Sequence, residues 1–231
     1  MANFKICPVV NLSNTSANCS IKVRLVGKGY LRSIRTGGGK FFKMELQDAS
    51  GVIDATSYGD KFFDMLEVGK VFLIRNFEVK NAHEEYNNLN HQYEIKFTSS
   101  TQIDQWSDEG VPEITYNFVE ISQVANVGFD LIGVCHNVGE IQPCGQRQKR
   151  LLTLVDRSMA AVDVEVWNEE AAKFDNNQHP VVIVKTGRYN EYFRTVSTNN
   201  ALIIDPDIEK ANVLKSWYSK GGSANISSNL N

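Results

Sequence analysis

Leu154-Val155-Asp156-Arg157-Ser158 runs into Ala161-Val162-Asp163-Val164-Glu165-Val166-Trp167, and Lys173-Phe174 follows. An earlier stretch has the same grammar: Leu46-Gln47-Asp48-Ala49-Ser50, then Gly51, then Val52-Ile53-Asp54-Ala55-Thr56-Ser57-Tyr58, with Lys61-Phe62-Phe63 behind it. Each reads as strand, Asp/Ser turn, strand, short helix. Successive side chains of a strand alternate between faces, so Val162, Val164 and Val166 share one face while Asp163, Glu165 and Trp167 share the other. In the earlier copy Ile53, Ala55 and Ser57 alternate with Asp54, Thr56 and Tyr58. A large aromatic thus ends a polar row twice. A flat ring on a hydrophilic sheet face is a stacking platform for bases. The competing reading is an aromatic tucked under a loop, and recurrence within a repeat favours the platform.

Tyr58 and Trp167 stand about one domain length apart, so the 231 residues divide into two units. Residues 1–105 read as the first unit, 106–117 as a polar, acidic linker broken by Gly110 and Pro112, and 118–221 as the second. In this reading 222–231 is a disordered Ser/Asn-rich tail. Hydrophobic content of 42% and charged content of 22% suit a globular chain with a buried core. No apolar run approaches the ~18 residues of a membrane span, and no signal peptide is expected. Cys7, Cys19, Cys135 and Cys144 form no C-x-x-C pair, which argues against zinc, and they read as reduced thiols. No cofactor is expected.

The net charge of −3 speaks weakly against nucleic acid, but the distribution is uneven. Residues 1–44 contain no Asp or Glu and eight basic residues: Lys5, Lys22, Arg24, Lys28, Arg32, Arg35, Lys40 and Lys43. That predicts a local basic groove, against the alternative of a solvated charged surface.

Along the chain, residues 20–26 alternate as a half-exposed strand, and Gly37-Gly38-Gly39 makes a loop between basic residues. Residues 60–66 read as a short helix. Val71–Arg75 and Phe77–Val79 read as one bent strand, and a polar connection carrying Tyr86 leads to the strand 93–97. The second unit repeats this order, with a long loop 139–148 ending in Gln146-Arg147-Gln148-Lys149-Arg150, a helix 169–174, and a hairpin 187–194 in which Tyr192 matches Tyr86. Asp205-Pro206 reads as the cap and first turn of a last helix. Ile208, Ala211, Leu214, Trp217 and Tyr218 give that helix one apolar face.

Five short strands with a helix between the third and fourth is the order of the oligonucleotide/oligosaccharide-binding (OB) fold. The chain resembles the large subunit of replication protein A, the eukaryotic single-stranded DNA binding protein, across its two tandem central domains. The resemblance rests on Lys40-Phe41-Phe42 to Leu46, Gly51 to Tyr58, Asp60-Lys61-Phe62-Phe63, Tyr93-Glu94, Trp167 to Phe174, and Ile203-Ile204-Asp205-Pro206-Asp207-Ile208 through Trp217. It implies an all-β chain with short helices: two tandem five-stranded Greek-key barrels plus a C-terminal helix. The DNA-binding residues it implies are Arg32, Arg35, Tyr58, Lys80, Tyr86 and Glu94 in the first unit. In the second they are Arg147, Lys149, Trp167, Arg188 and Tyr192. Asp54 stands where the family has an arginine that contacts DNA.

The resemblance also implies a nuclear protein of DNA replication, repair and recombination. Its partners would be single-stranded DNA and other replication protein A subunits, reached through a domain outside this chain. A monomeric fragment or shortened relative is expected. No catalytic set converges, so no enzyme is expected. The alternatives are a telomere-specialised paralogue reading G-rich strands, motivated by Asp54 and the tyrosine hydroxyls, and an OB-fold protein-interaction scaffold.

Overall fold

The computed structural model describes residues 5–16, 19–34, 38–83, 87, 89, 91–125, 127–175, 178–224 and 226. The chain falls into two compact units, residues 1–115 and 116–231. In the first, β1 (Ser20–Lys28), β2 (Arg32–Ser33), β3 (Lys40–Asp48), β4 (Gly51–Tyr58), β5 (Val71–Arg75), β6 (Glu78–Asn81), β7 (Tyr93–Phe97) and β8 (Gln102–Gln105) form one sheet. Its hydrogen-bonded path runs β6-β7-β4-β3-β1-β5-β8, with β2 on β3. Because β5 and β6 are one strand bent at Asn76 (φ 55°), the path closes on itself as a five-stranded barrel, with β2 and β8 as additions.

The second unit repeats the ring. Its strands are β9 (Phe118–Val119), β10 (Val127–Val138), β11 (Gln142–Cys144), β12 (Arg147–Val155), β13 (Ala161–Trp167), β14 (Val181–Asn190), β15 (Thr195–Ser197) and β16 (Ile203–Ile204). The cycle β10-β12-β13-β15-β14 closes through the β14–β10 pairing. Both chains of inward apolar residues predicted by alternation fill the barrels: Phe42, Met44, Leu46, Ile53 and Ala55 in one, Leu152, Leu154, Val162, Val164 and Val166 in the other. Gly187 is required where β14 crosses Phe129, because a Cβ there would meet the Phe129 ring at 2.7 Å. Helix α1 (Glu209–Trp217) lays Ala211 and Leu214 on a separate cluster outside the second barrel, with Ile132, Val134 and Ile183.

The structure differs from the sequence reading in several local places. Residues 60–66 are successive turns, not a helix, and the helix of 169–174 shortens to a 3-10 turn at Ala171–Lys173. The loop 139–148 is a hairpin, β11 on β12, turning at Gly145 (φ 62°). Helix α1 starts at Glu209, not at Pro206. Asp205 (φ 46°) turns the chain, and its carboxylate accepts from the Val181 N–H at 3.1 Å and the Lys215 ammonium at 3.4 Å, so it has no helix N-terminus to cap.

The supposed linker 106–117 is divided between the units. Arg24, 2% exposed, donates to the carbonyls of Gly69 (2.6 Å), Val111 (3.3 Å) and Pro112 (2.7 Å), and pairs with Asp108 and Glu113. That seats 108–113 on the first barrel, while Tyr116 and Phe118 stack together and pack on the second unit's outer cluster. Cys7 and Cys19 are joined as a disulfide rather than reduced, because the N-terminal arm returns along the start of β1, where the Cys7 N–H donates to the Ser20 carbonyl at 2.8 Å. Cys135 and Cys144 are free thiols. Burial pushes the Cys135 thiol up to about 11. Most of the tail 222–231 lies outside the described residues.

Candidate nucleic-acid interface

Strand alternation displays a polar face on each barrel. In the first unit, cross-strand register aligns Phe41 with Tyr58, Lys43 with Thr56 and Glu45 with Asp54. The parallel β4–β7 pairing sets Thr56 beside Lys96 and hence Asp54 beside Glu94, and β6 adds Glu78 across from Lys96 and Lys80 across from Glu94. At one end of this face Arg32 sits in register with Phe41, making a row Arg32, Phe41, Tyr58.

Tyr58 is 56% exposed, with its ring 6.4 Å from Phe41 at 33° and the Lys96 ammonium 5.1 Å above it. An open aromatic face beside ammonium groups is what a stacked base next to its phosphate requires. Lys80 is exposed and lies 3.5 Å from Glu78. Glu94 contributes to a carboxyl row with the buried Glu45 and with Asp54, whose carboxyl is pushed up to about 7 by burial first and then by Glu45, with Glu94 adding and Lys43 opposing.

In the second unit Trp167 ends the corresponding row, in register with Lys149. The Arg147 guanidinium lies 4.6 Å from the Trp167 ring centre and the Lys149 ammonium 5.8 Å away. Lys149 is also tied to Glu165 at 3.3 Å, which the Thr195 hydroxyl reaches at 3.1 Å, while the Thr153 hydroxyl donates to Asp163 at 2.7 Å. These bonds satisfy the carboxylates of the row and leave the ring and its arginine as the adaptable parts. Arg188 lies on β14 in register with Ser197, next to the turn that carries Tyr192, 88% exposed. The parallel β13–β15 register pairs Asp163 with Thr195, so that turn and Trp167 are separated by at least four residues of strand, about 13 Å at the usual rise.

Tyr58, Arg32, Lys80 and Glu94 therefore share the first unit's polar sheet, and Arg147, Lys149, Trp167, Arg188 and Tyr192 belong to the second's polar sheet and its hairpin. Arg35 and Tyr86 lie outside the described residues. Part of the basic N-terminal stretch is spent on structural contacts rather than on a groove. Arg24 is buried, the Lys28 ammonium donates to the carbonyls of Phe63 (2.6 Å) and Leu66 (2.8 Å), Lys22 donates to the Glu109 carbonyl, and Lys40 pairs with Asp60. Burial also holds the Lys28 ammonium below its ordinary range. Sequence reasoning missed Phe41 and Lys96. The signal was available in the same alternation, which puts Phe41 on the opposite face from the buried Phe42.

Comparison with known proteins places the sequence and the fold. The family described as replication protein A OB domain matches residues 120–205, and a domain of unknown function, DUF223, matches 39–127. The replication protein A 70 kDa DNA-binding subunit of Drosophila melanogaster is 36% identical over 95% of this chain and 40% of its own length. That of Xenopus laevis is 32% identical over 94% and 39%. A solved replication protein A heterotrimer bound to single-stranded DNA superposes with a TM-score of 0.77, at 32% identity over 94% of this chain and 56% of that one. The chain spans about 40% of the length of the curated relatives it matches. By sequence and by fold, the chain belongs to the replication protein A large-subunit family.

Proposed function

We propose that this chain binds single-stranded DNA without catalysis, as two barrels in series. The observation that carries the reading is the exposure of Tyr58 on the first polar sheet face, with Lys96 over its ring, and of Tyr192 on the hairpin turn of the second unit, whose sheet holds Arg147 over Trp167. Rings take successive bases by stacking, at about 1 to 3 kcal/mol per base, while Arg32, Lys80, Arg147, Lys149 and Arg188 contact phosphates and Glu94 contacts a base edge. At the lower end of the range per OB fold, two barrels hold roughly 8 nucleotides. Tethering makes the second engagement intramolecular, so the tandem exceeds either unit. A duplex hides its base faces and binds poorly. The family relationship supports the wider setting: nuclear replication, repair and recombination, with further subunits engaged through parts of a longer protein.

A fluorescence anisotropy titration with a labelled thymine oligonucleotide at several salt concentrations, repeated with the matching duplex, tests this. Binding to the single strand alone, with a log-log salt slope near −0.7 per phosphate contact, is expected. Equal affinity for the duplex, or no binding to the single strand at low salt, overturns it. One observation favours a second reading, base preference. Asp54 and Glu94 put carboxyl groups on the polar face, with Glu45 buried beside them, and a carboxylate is the acceptor that suits the two N–H donors of a guanine edge. Equal affinity for G-rich and oligo-dT strands removes that reading and leaves the first intact.

A further inference from the structure

The turn between β14 and β15 presents two aromatic rings in succession. Tyr192 is 88% exposed and Phe193 64% exposed, and their centroids lie 4.8 Å apart with planes at 89°. Phe193 belongs to none of the apolar clusters, whereas Tyr189 on the adjoining strand packs against the second barrel's core. A phenylalanine in that position contributes little to folding and leaves apolar surface in water, so its placement calls for an occupant. The turn is also held in shape. The Asn190 side-chain oxygen accepts the Phe193 N–H at 3.0 Å, and Arg194 takes a left-handed φ of 54°. Ring pairs at right angles present the face of one and the edge of the other in two different directions, so a strand passing the turn meets two apolar surfaces rather than one.

We infer that Phe193 is a further base-contacting ring of the second unit, which with Tyr192 takes two neighbouring nucleobases of a single strand at the hairpin tip. This rests on the single-strand reading proposed above. The nucleobase is favoured over an apolar protein surface because Arg188 and Arg194 lie on either side of the rings in the same hairpin, two positive charges against the single carboxylate of Glu191.

The test uses the full chain and thymine oligonucleotides carrying one 2-aminopurine at successive positions, whose fluorescence reports stacking. Phe193→Ala is expected to weaken binding about 5- to 150-fold and to abolish the signal change at one position, leaving its neighbour intact. Tyr192→Ala should abolish that neighbour's signal instead. Phe193→Tyr should restore both affinity and signal, which a merely structural role for an exposed side chain would not require. Unchanged affinity and an unchanged pattern in Phe193→Ala overturn the assignment while wild-type binding still supports the single-strand reading. No binding by the wild type overturns the reading itself. Loss of self-association in Phe193→Ala, measured by sedimentation, with DNA binding unchanged, assigns the rings to a second copy of the chain and overturns the proposal.

Discussion

The carboxylate of Asp48 accepts the backbone N–H of Val9 through Oδ2 at 2.8 Å. Its other oxygen accepts the N–H groups of Ser50 (2.7 Å) and Gly51 (3.1 Å), so one side chain both shapes the β3–β4 turn and clamps the 3-10 turn Val9–Asn11 against the barrel. Asp156 does the same in the second unit, accepting from Ile121 at 2.9 Å and from Ser158 at 2.9 Å. This is why an Asp-x-Ser turn recurs. Asp48→Ala should lower stability by about 2 kcal/mol, as expected for losing charge-assisted hydrogen bonds to partly buried donors. Asp48→Asn should lose less, because the amide oxygen still accepts. Denaturant unfolding of the two variants checks both the size and the order.

Ser57 points into the first barrel's core, buried, with its hydroxyl lacking a hydrogen-bond partner in the described structure. A hydroxyl desolvated without a partner is unfavourable, and alanine keeps the small volume. Ser57→Ala should therefore be neutral or raise stability by up to about 1 kcal/mol. It should leave DNA affinity unchanged, since the residue faces away from Tyr58. A destabilised variant in the same unfolding assay contradicts this account.

Arg24 holds 108–113 by donating to several acceptors at once from a fully buried stem. Arg24→Ala should cost about 3 kcal/mol, because it strips partners from buried carbonyls and leaves a cavity. The more specific outcome is local: limited proteolysis should cut within 106–113 faster than in the wild type. Lys22→Ala, which removes one exposed contact to Glu109, should produce neither effect at comparable size.

The barrels and their polar faces were legible because alternation and turn residues are local signals. Trp167 and Tyr58 could be placed on polar rows from residue spacing alone. What escaped was decided by contacts distant in sequence. Lys28 reads as a groove cation until the turn 60–66 brings two carbonyls to its ammonium, and Arg24 likewise until 108–113 folds back over it. The Cys7–Cys19 bond depends on the arm doubling back along β1, which no spacing rule indicates. Phe193 was hidden by its neighbour, since a hairpin tip holding two rings reads as one site when only one is matched to the first unit.

Asp54 supplies the pH dependence. Its carboxyl is pushed up to about 7 in the folded chain, by burial and then by Glu45 and Glu94, from an ordinary carboxylate value near 3.8. A raised carboxyl pKa means that the folded state binds the proton more tightly than the unfolded state. Its contribution to stability is therefore greatest below about pH 4, declines as pH rises toward 7, and is constant above that. Asp54→Asn should remove this decline and be the more stable protein at pH 8. DNA affinity should move in the same direction for a related reason. Below pH 7 the neutral carboxyl no longer repels phosphate on a face shared with Lys43, Lys96 and Lys80, so wild-type affinity should rise between pH 8 and pH 6. Anisotropy titrations of wild type and Asp54→Asn across that range, at fixed ionic strength, isolate the residue. The asparagine variant should show a flatter profile and tighter binding at pH 8. Parallel profiles for the two proteins would place the titrating group elsewhere.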